Sequence, residues 1–140
     1  MSIPFKVQDF MVRKLVTVTP ETDAHDAIDT LLRHRISGMP VVDAGGRLVG
    51  MLSERDCMKT LTNAQYHNLP TALVRDLMST ALCTVPPDTG LMEVAELFVC
   101  NRFRRLPVVD ANGKLVGQIS RCDVLQAIQR MRASHGPTLG

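Results

Sequence analysis

The stretch Met39-Pro-Val-Val-Asp-Ala-Gly-Gly-Arg-Leu-Val-Gly-Met-Leu-Ser-Glu-Arg-Asp56 recurs further along the chain as Leu106-Pro-Val-Val-Asp-Ala-Asn-Gly-Lys-Leu-Val-Gly-Gln-Ile-Ser-Arg-Cys-Asp123. In each copy two short apolar runs flank a turn, Gly45-Gly46 or Asn112-Gly113, whose residues supply the positive φ angles of a tight hairpin. Each copy is therefore predicted to be a β-hairpin that delivers a serine and an aspartate, Ser53 and Asp56 or Ser120 and Asp123, to the start of a helix.

Outward from the hairpins the repetition continues. With Val7 laid on Val74, an ungapped register pairs Asp9 with Asp76, Met11 with Met78, Thr17-Val18 with Thr84-Val85, Pro20 with Pro87 and Thr22 with Thr89. It also pairs Pro40 with Pro107 and Gly50 with Gly117, and it holds as far as Met58 on Leu125. A register held that long is an internal duplication.

Each unit is predicted to open with a short helix, Val7 to Met11 or Val74 to Met78, and an extended piece through Val16 to Val18 or Cys83 to Val85. Thr22 and Thr89, each following a proline, are expected helix N-caps. The first helix carries Ala24, Ala27, Ile28, Leu31 and Leu32 on one face. Its counterpart, Leu91 to Cys100, is apolar over a wider arc and is expected to be buried more deeply. After the hairpin comes a closing helix, from about Ser53 to Leu61 or Ser120 to Met131. The fold class is α/β (α+β): two tandem β-α-β-β-α units at 7–62 and 74–132, joined by a polar linker at 63–73 and followed by a flexible tail at 133–140. Units this small should pack on each other about a pseudo-twofold axis.

With 45% hydrophobic and 21% charged residues in 140, the composition is that of a globular protein. The formal charge of +2 is close to neutral and gives no support for nonspecific nucleic-acid binding, which needs a basic face. The opening residues lack the apolar core of a signal peptide, and no segment is apolar for long enough to span a membrane, so a cytoplasmic location is expected. Cys57, Cys83, Cys100 and Cys122 form no Cys-x-x-Cys pair and read as reduced packing residues. His25, His34, His67 and His135 have no metal-binding spacing, and no catalytic triad is supported. The methionines read as gap fillers in core and interface.

The repeated Gly-x-x-Ser-x-x-Asp places a hydroxyl at a helix start and a carboxylate one turn in. That arrangement makes a capping box. It also suits a phosphate at the helix N-terminus and the cis hydroxyls of a ribose on the carboxylate.

Taken together, Val-x-Asp-x-Met, Thr-Val-x-Pro, Pro-Val-Val-Asp, Leu-Val-Gly and Ser-x-x-Asp, each present twice, resemble the CBS domain, named for cystathionine beta-synthase. The tandem arrangement resembles a CBS pair. The resemblance implies paired units that dimerise into a flat disk and bind adenosine-containing molecules (AMP, ADP, ATP, NAD or S-adenosylmethionine) as regulatory sensors. It makes Asp56 and Asp123 the ribose acids and Ser53 and Ser120 the hydroxyls near phosphate. Adenine would lie against the backbone around Thr17-Val18 and Thr84-Val85, with Gly38, Met39 and Pro40 in one site and Leu106 and Pro107 in the other.

The two sites differ in charge. Arg102, Arg104, Arg105 and Arg121 stand about the second, whereas Glu54, Arg35 and Arg55 stand about the first, so phosphorylated ligands should prefer the second. Strand alternation should turn only one of Arg104 and Arg105 toward a given cleft. The chain reads as a stand-alone regulatory module with no required cofactor and no enzyme activity. Its regulatory ligand would be an adenine nucleotide, AMP, ADP or ATP. It is expected to form a homodimer and to act on an unidentified regulated protein. A ligand-free dimerisation scaffold is the alternative, and nucleic-acid binding a distant third.

Overall fold

A computed structural model describes residues 5–62 and 72–134, the side chain of Ser134 excepted. Most of the expected linker, 63–71, and of the expected tail, 135–140, lies outside the described residues. In chain order the elements are α1 (Val7–Phe10), α2 (Ala24–His34), β1 (Gly38–Val42), β2 (Leu48–Ser53), α3 (Glu54–Cys57) and α4 (Lys59–Thr62). There follow α5 (Val74–Leu77), α6 (Leu91–Cys100), β3 (Arg105–Val109), β4 (Leu115–Ser120) and α7 (Arg121–Ser134). β1 pairs with β2, and β3 with β4, as two separate two-stranded sheets.

The compact units are not the sequence repeats. One, the first-hairpin unit, is built from the described parts of Leu15–Leu82 and Asn112–Leu115. The other, the second-hairpin unit, is built from those of Met1–Lys14, Cys83–Ala111 and Val116–Gly140. The opening segment of each repeat thus completes the unit that holds the other repeat's hairpin. In the first-hairpin unit, the Val74 and Arg75 N–H groups donate to the carbonyls of Thr22 (2.9 Å) and Pro20 (3.0 Å), and Met51 and Ser79 exchange backbone bonds of 2.9 Å. In the second, Val7 and Gln8 donate to Thr89 (2.9 Å) and Pro87 (3.0 Å), and Val12 and Gln118 exchange bonds of 2.8 and 2.9 Å. Val74 and Leu77 are buried with Leu31, Met39 and Leu52, while Val7 and Met11 are buried with Leu106, Val108 and Ile119. Ala72, in the expected linker, is buried in the first of these cores, and its carbonyl accepts the Ala24 N–H at 2.8 Å.

Several local expectations are corrected. The extended pieces at Val16 to Val18 and Cys83 to Val85 contract to single parallel bridges, Val18 to Val41 and Val85 to Val108. Pro20, Pro86 and Pro87 follow closely and have no N–H with which to continue a ladder. Thr22 and Thr89 are not N-caps. Their hydroxyls close the proline turns instead, Thr22 against the Thr19 hydroxyl at 2.9 Å and Thr89 donating to the Pro86 carbonyl at 2.8 Å. The helix starts shift by one residue. Asp23 caps α2 by accepting the His25 N–H at 2.8 Å, and Gly90 precedes α6 without a side-chain cap.

In the hairpin turns only Gly46 and Gly113 have positive φ, +83° and +80°. The Asp43 carboxylate explains this in the first hairpin, because its Oδ1 accepts the N–H groups of both Gly45 and Arg47 at 2.9 Å and leaves one left-handed position rather than two. α6 is not buried more deeply than α2: Leu91 and Val94 are buried, but Met92 is 64% and Val99 85% exposed. Leu32, assigned to the apolar face of α2, is 69% exposed. The first closing helix breaks at Met58 into α3 and α4, whereas α7 is continuous.

α2 ends in a Schellman-type closure in which Ile36 N–H donates to the Leu31 carbonyl at 3.1 Å and Arg35 sits at φ +54°. A side chain in that region costs roughly 1 kcal/mol that glycine avoids. Arg35→Gly should therefore raise stability by about 0.5–1 kcal/mol in chemical denaturation. A loss of stability would contradict the cap assignment.

Candidate functional site

Each Ser-x-x-Asp stretch lies where a strand becomes a helix, and in both the helix cap is made within the chain. In the first, the Asp56 N–H donates to Ser53 Oγ at 3.1 Å and the Ser53 N–H to Asp56 Oδ2 at 2.9 Å. In the second, the Asp123 N–H donates to Ser120 Oγ at 3.2 Å, while Asp123 Oδ2 accepts both the N–H (2.8 Å) and the hydroxyl (3.0 Å) of Ser120. Both carboxylates are half-buried. The box positions each acid and holds it with one oxygen only.

The remaining candidates gather around each box within its own unit. In the first-hairpin unit Gly38 lies opposite Ser53 in the β1–β2 register, with Met39 opposite Leu52 and Pro40 opposite Met51. The Val18 N–H donates to the Pro40 carbonyl at 3.1 Å, bringing Thr17-Val18 alongside. In the second-hairpin unit the Val85 N–H donates to the Pro107 carbonyl at 3.1 Å, which sets Thr84-Val85 beside Leu106 and Pro107. Met39, Pro40, Leu106 and Pro107 are buried, so they can offer a ligand backbone groups but little side chain. A cavity of about 390 Å³ beside Thr84 is bounded by Pro86, Asp88, Val109 and Asp110. Another, of about 470 Å³, is walled by Glu93 and Glu96 and is unsuited to an anion.

Charge is what separates the two sites. The Arg121 N–H donates to the Arg104 carbonyl at 3.3 Å, as the Glu54 N–H does to the Ser37 carbonyl at 2.9 Å. The same backbone contact thus puts two arginines beside the Ser120 helix start and a serine and a glutamate beside the Ser53 one. Arg102, Arg104 and Arg121 have no ion-pair partner among the described residues. Arg104, just before β3, is exposed, and Arg105, at the first position of β3, is half-buried. Arg35 ends α2, and Arg55, in the first turn of α3, is exposed.

One participant was not among the predicted residues. Lys59 Nζ lies 3.4 Å from Asp56 Oδ1 and 3.5 Å from the Leu77 carbonyl. The signal in the sequence was the Asp-to-Lys spacing of three on a helix.

Cys57, buried in α3, has its thiol pushed above the usual range by burial, and then by the Asp56 and Glu54 carboxylates. The folded state therefore favours the neutral thiol. This contribution is intact below the ordinary thiol value and is lost as pH rises through the raised native value. Iodoacetamide at pH 8 should alkylate exposed Cys100 and Cys122 well before Cys57; equal rates in the folded protein would contradict this.

Among the described residues no helix is long and apolar enough to cross a membrane, and no group of three or more His, Cys, Asp or Glu residues could hold a metal ion. Comparison with known proteins places both repeats. The CBS domain model matches residues 7–63 and 74–130. The CBS domain-containing protein CBSX1, chloroplastic, of Arabidopsis thaliana is 33% identical over 93% of this chain, which spans 66% of that protein's length. The crystal structure of CBSX2 in complex with AMP superposes with a TM-score of 0.79 at 34% identity, covering 91% of this chain and 98% of that one. The cytosolic domain of the Mg2+ channel MgtE in complex with ATP gives 0.72 at 31% identity, over 87% of this chain and 48% of that one. With both repeats matched and one third of its residues shared with CBSX1 across nearly its whole length, the chain belongs to the CBS domain family and carries the domain twice.

Proposed function

We propose that the protein is a regulatory module that senses an adenosine nucleotide, AMP, ADP or ATP, and that the box at Ser120 and Asp123 is its principal site. The observation that carries this reading is the pair of arginines, Arg104 and Arg121, which have no ion-pair partner among the described residues and are joined by a backbone hydrogen bond beside the Ser120 helix start. Guanidinium groups and the positive end of a helix attract phosphate, and Asp123 accepts a ribose hydroxyl. Backbone of Thr84, Val85, Leu106 and Pro107 holds the adenine. The equivalent set at Thr17, Val18, Gly38, Met39, Pro40, Ser53 and Asp56 forms a weaker site, since Glu54 stands where the other has Arg121. The AMP and ATP complexes of CBSX2 and MgtE support an adenine nucleotide as the ligand class.

The repeats at 7–62 and 74–132 act together, and two copies of the chain pair in the cytoplasm. Exposed apolar side chains in both units, Leu32, Met58 and Leu61 in one and Met92, Leu125 and Ile128 in the other, support pairing. Ligand regulates by favouring one packing of the pair over another, which requires different affinities for the two. The role is regulatory rather than catalytic.

A second reading, a ligand-free dimerisation scaffold, is favoured by one observation: both capping boxes close fully within the chain. Thermal unfolding against AMP, ADP, ATP, NAD and S-adenosylmethionine, with guanine nucleotide controls, separates the two. A ligand at a hundred times its dissociation constant should stabilise the fold by about 2.7 kcal/mol, a shift of several degrees. A flat panel would favour the scaffold.

A further inference from the structure

On the nucleotide reading above, we infer that Lys59 and Gln126 decide which of the two Ser-x-x-Asp boxes takes ligand. In both boxes Oδ2 of the aspartate is committed to the helix cap, so Oδ1 is the oxygen left for a ribose hydroxyl. In the first box that oxygen is already taken, because Lys59 Nζ pairs with Asp56 Oδ1 at 3.4 Å. The same ammonium reaches the Leu77 carbonyl at 3.5 Å, so it is held from two sides. The Asp56 side chain is 15% exposed and that of Lys59 47%, which places the pair at the protein surface with its acid end sheltered.

One helical position beyond the duplicated register, the residue matching Lys59 is Gln126. Its amide turns to Cys122 Sγ at 3.9 Å, and Asp123 Oδ1 has no partner among the described residues. The first box therefore carries an internal cation where a ligand hydroxyl would donate, and the second leaves that place open. A ligand hydroxyl entering the first site competes with Lys59 for Asp56 Oδ1, whereas one entering the second meets no competing group on Asp123 Oδ1 among the described residues. Lys59 lowers affinity at the first site by competition, independently of the arginines that raise it at the second.

Exchange of the two residues tests this, each in a chain with the other site disabled. Calorimetric titration with AMP at fixed salt compares Asp123→Ala with Asp123→Ala/Lys59→Gln, and Asp56→Ala with Asp56→Ala/Gln126→Lys. Lys59→Gln should tighten AMP binding at the first site about fivefold, the range of a partly exposed ion pair, and Gln126→Lys should weaken the second site by a similar factor. Both substitutions are at exposed positions, and circular dichroism checks that each chain is folded. Unchanged or undetectable first-site affinity after Lys59→Gln overturns the inference. So does a weakened one, which would make Lys59 a phosphate contact. A wild-type chain that ignores AMP and the other adenosine ligands would instead sink the nucleotide reading, and this inference with it.

Discussion

Gly117→Val should lower the unfolding midpoint by about 10 °C, equivalent to about 3 kcal/mol. A Cβ at this position would stand 2.5 Å from Met11 Sδ, 2.9 Å from Met11 Cγ and 3.0 Å from the Val12 carbonyl oxygen. The methionine can swing aside. The carbonyl cannot, because Val12 and Gln118 hold each other by two backbone hydrogen bonds, one of them from the Gln118 N–H to this same oxygen. A branched side chain at Gly117 thus pushes the opening segment off β4 and uncovers Val7 and Met11, both in the core of this unit. Adding Met11→Ala should restore only the part of the loss due to the thioether. Gly50 repeats the arrangement, with Met78 Sδ at 2.6 Å and the Ser79 carbonyl oxygen at 3.1 Å, so Gly50→Val should behave alike. A midpoint within a degree of wild type for both would mean that the opening segments are not held as described.

Asp123→Ala should reduce AMP or ATP affinity by roughly ten- to a hundredfold, since a hydrogen bond from a ribose hydroxyl to a charged acceptor contributes about 1.5–3 kcal/mol. Removing half of the capping box should cost stability only about 1 kcal/mol. The disparity is the diagnostic: a purely structural aspartate would show the second effect without the first. Asp56→Ala should leave most of the nucleotide-induced thermal shift in place. If Asp123→Ala binds adenosine ligands as wild type does, the ribose assignment fails.

Much of this could be read from the amino acids because the chain states its pattern twice. The hairpins, the helix that follows each, the Ser-x-x-Asp boxes and the contrast between Arg121 and Glu54 are local features. The exchange of opening segments is not local: Val7 and Val74 are equivalent in the repeat, and either hairpin offers each the same carbonyl partners and apolar cradle. Nothing in a single repeat chooses between them. The N-caps moved because proline turns at Thr19 to Thr22 and Pro86 to Thr89 claimed the threonine hydroxyls, a competition that depends on backbone geometry. Lys59 escaped notice because an acid and a lysine three residues apart on a helix usually form an ordinary solvated pair. Its meaning depends on which carboxylate oxygen it reaches.

The exchanged segments also set an order of assembly. Val7 hydrogen-bonds to Thr89, and Val12 bridges to Gln118, so α1 is synthesised well before the partners it needs. At roughly 5–20 residues per second, α1 waits several seconds for its sheet. By contrast, the first-hairpin unit draws nearly all its residues from one continuous run that ends at Leu82. That unit can close while synthesis continues, and the α1 segment docks later, as the seal on a unit whose other pieces are made after it.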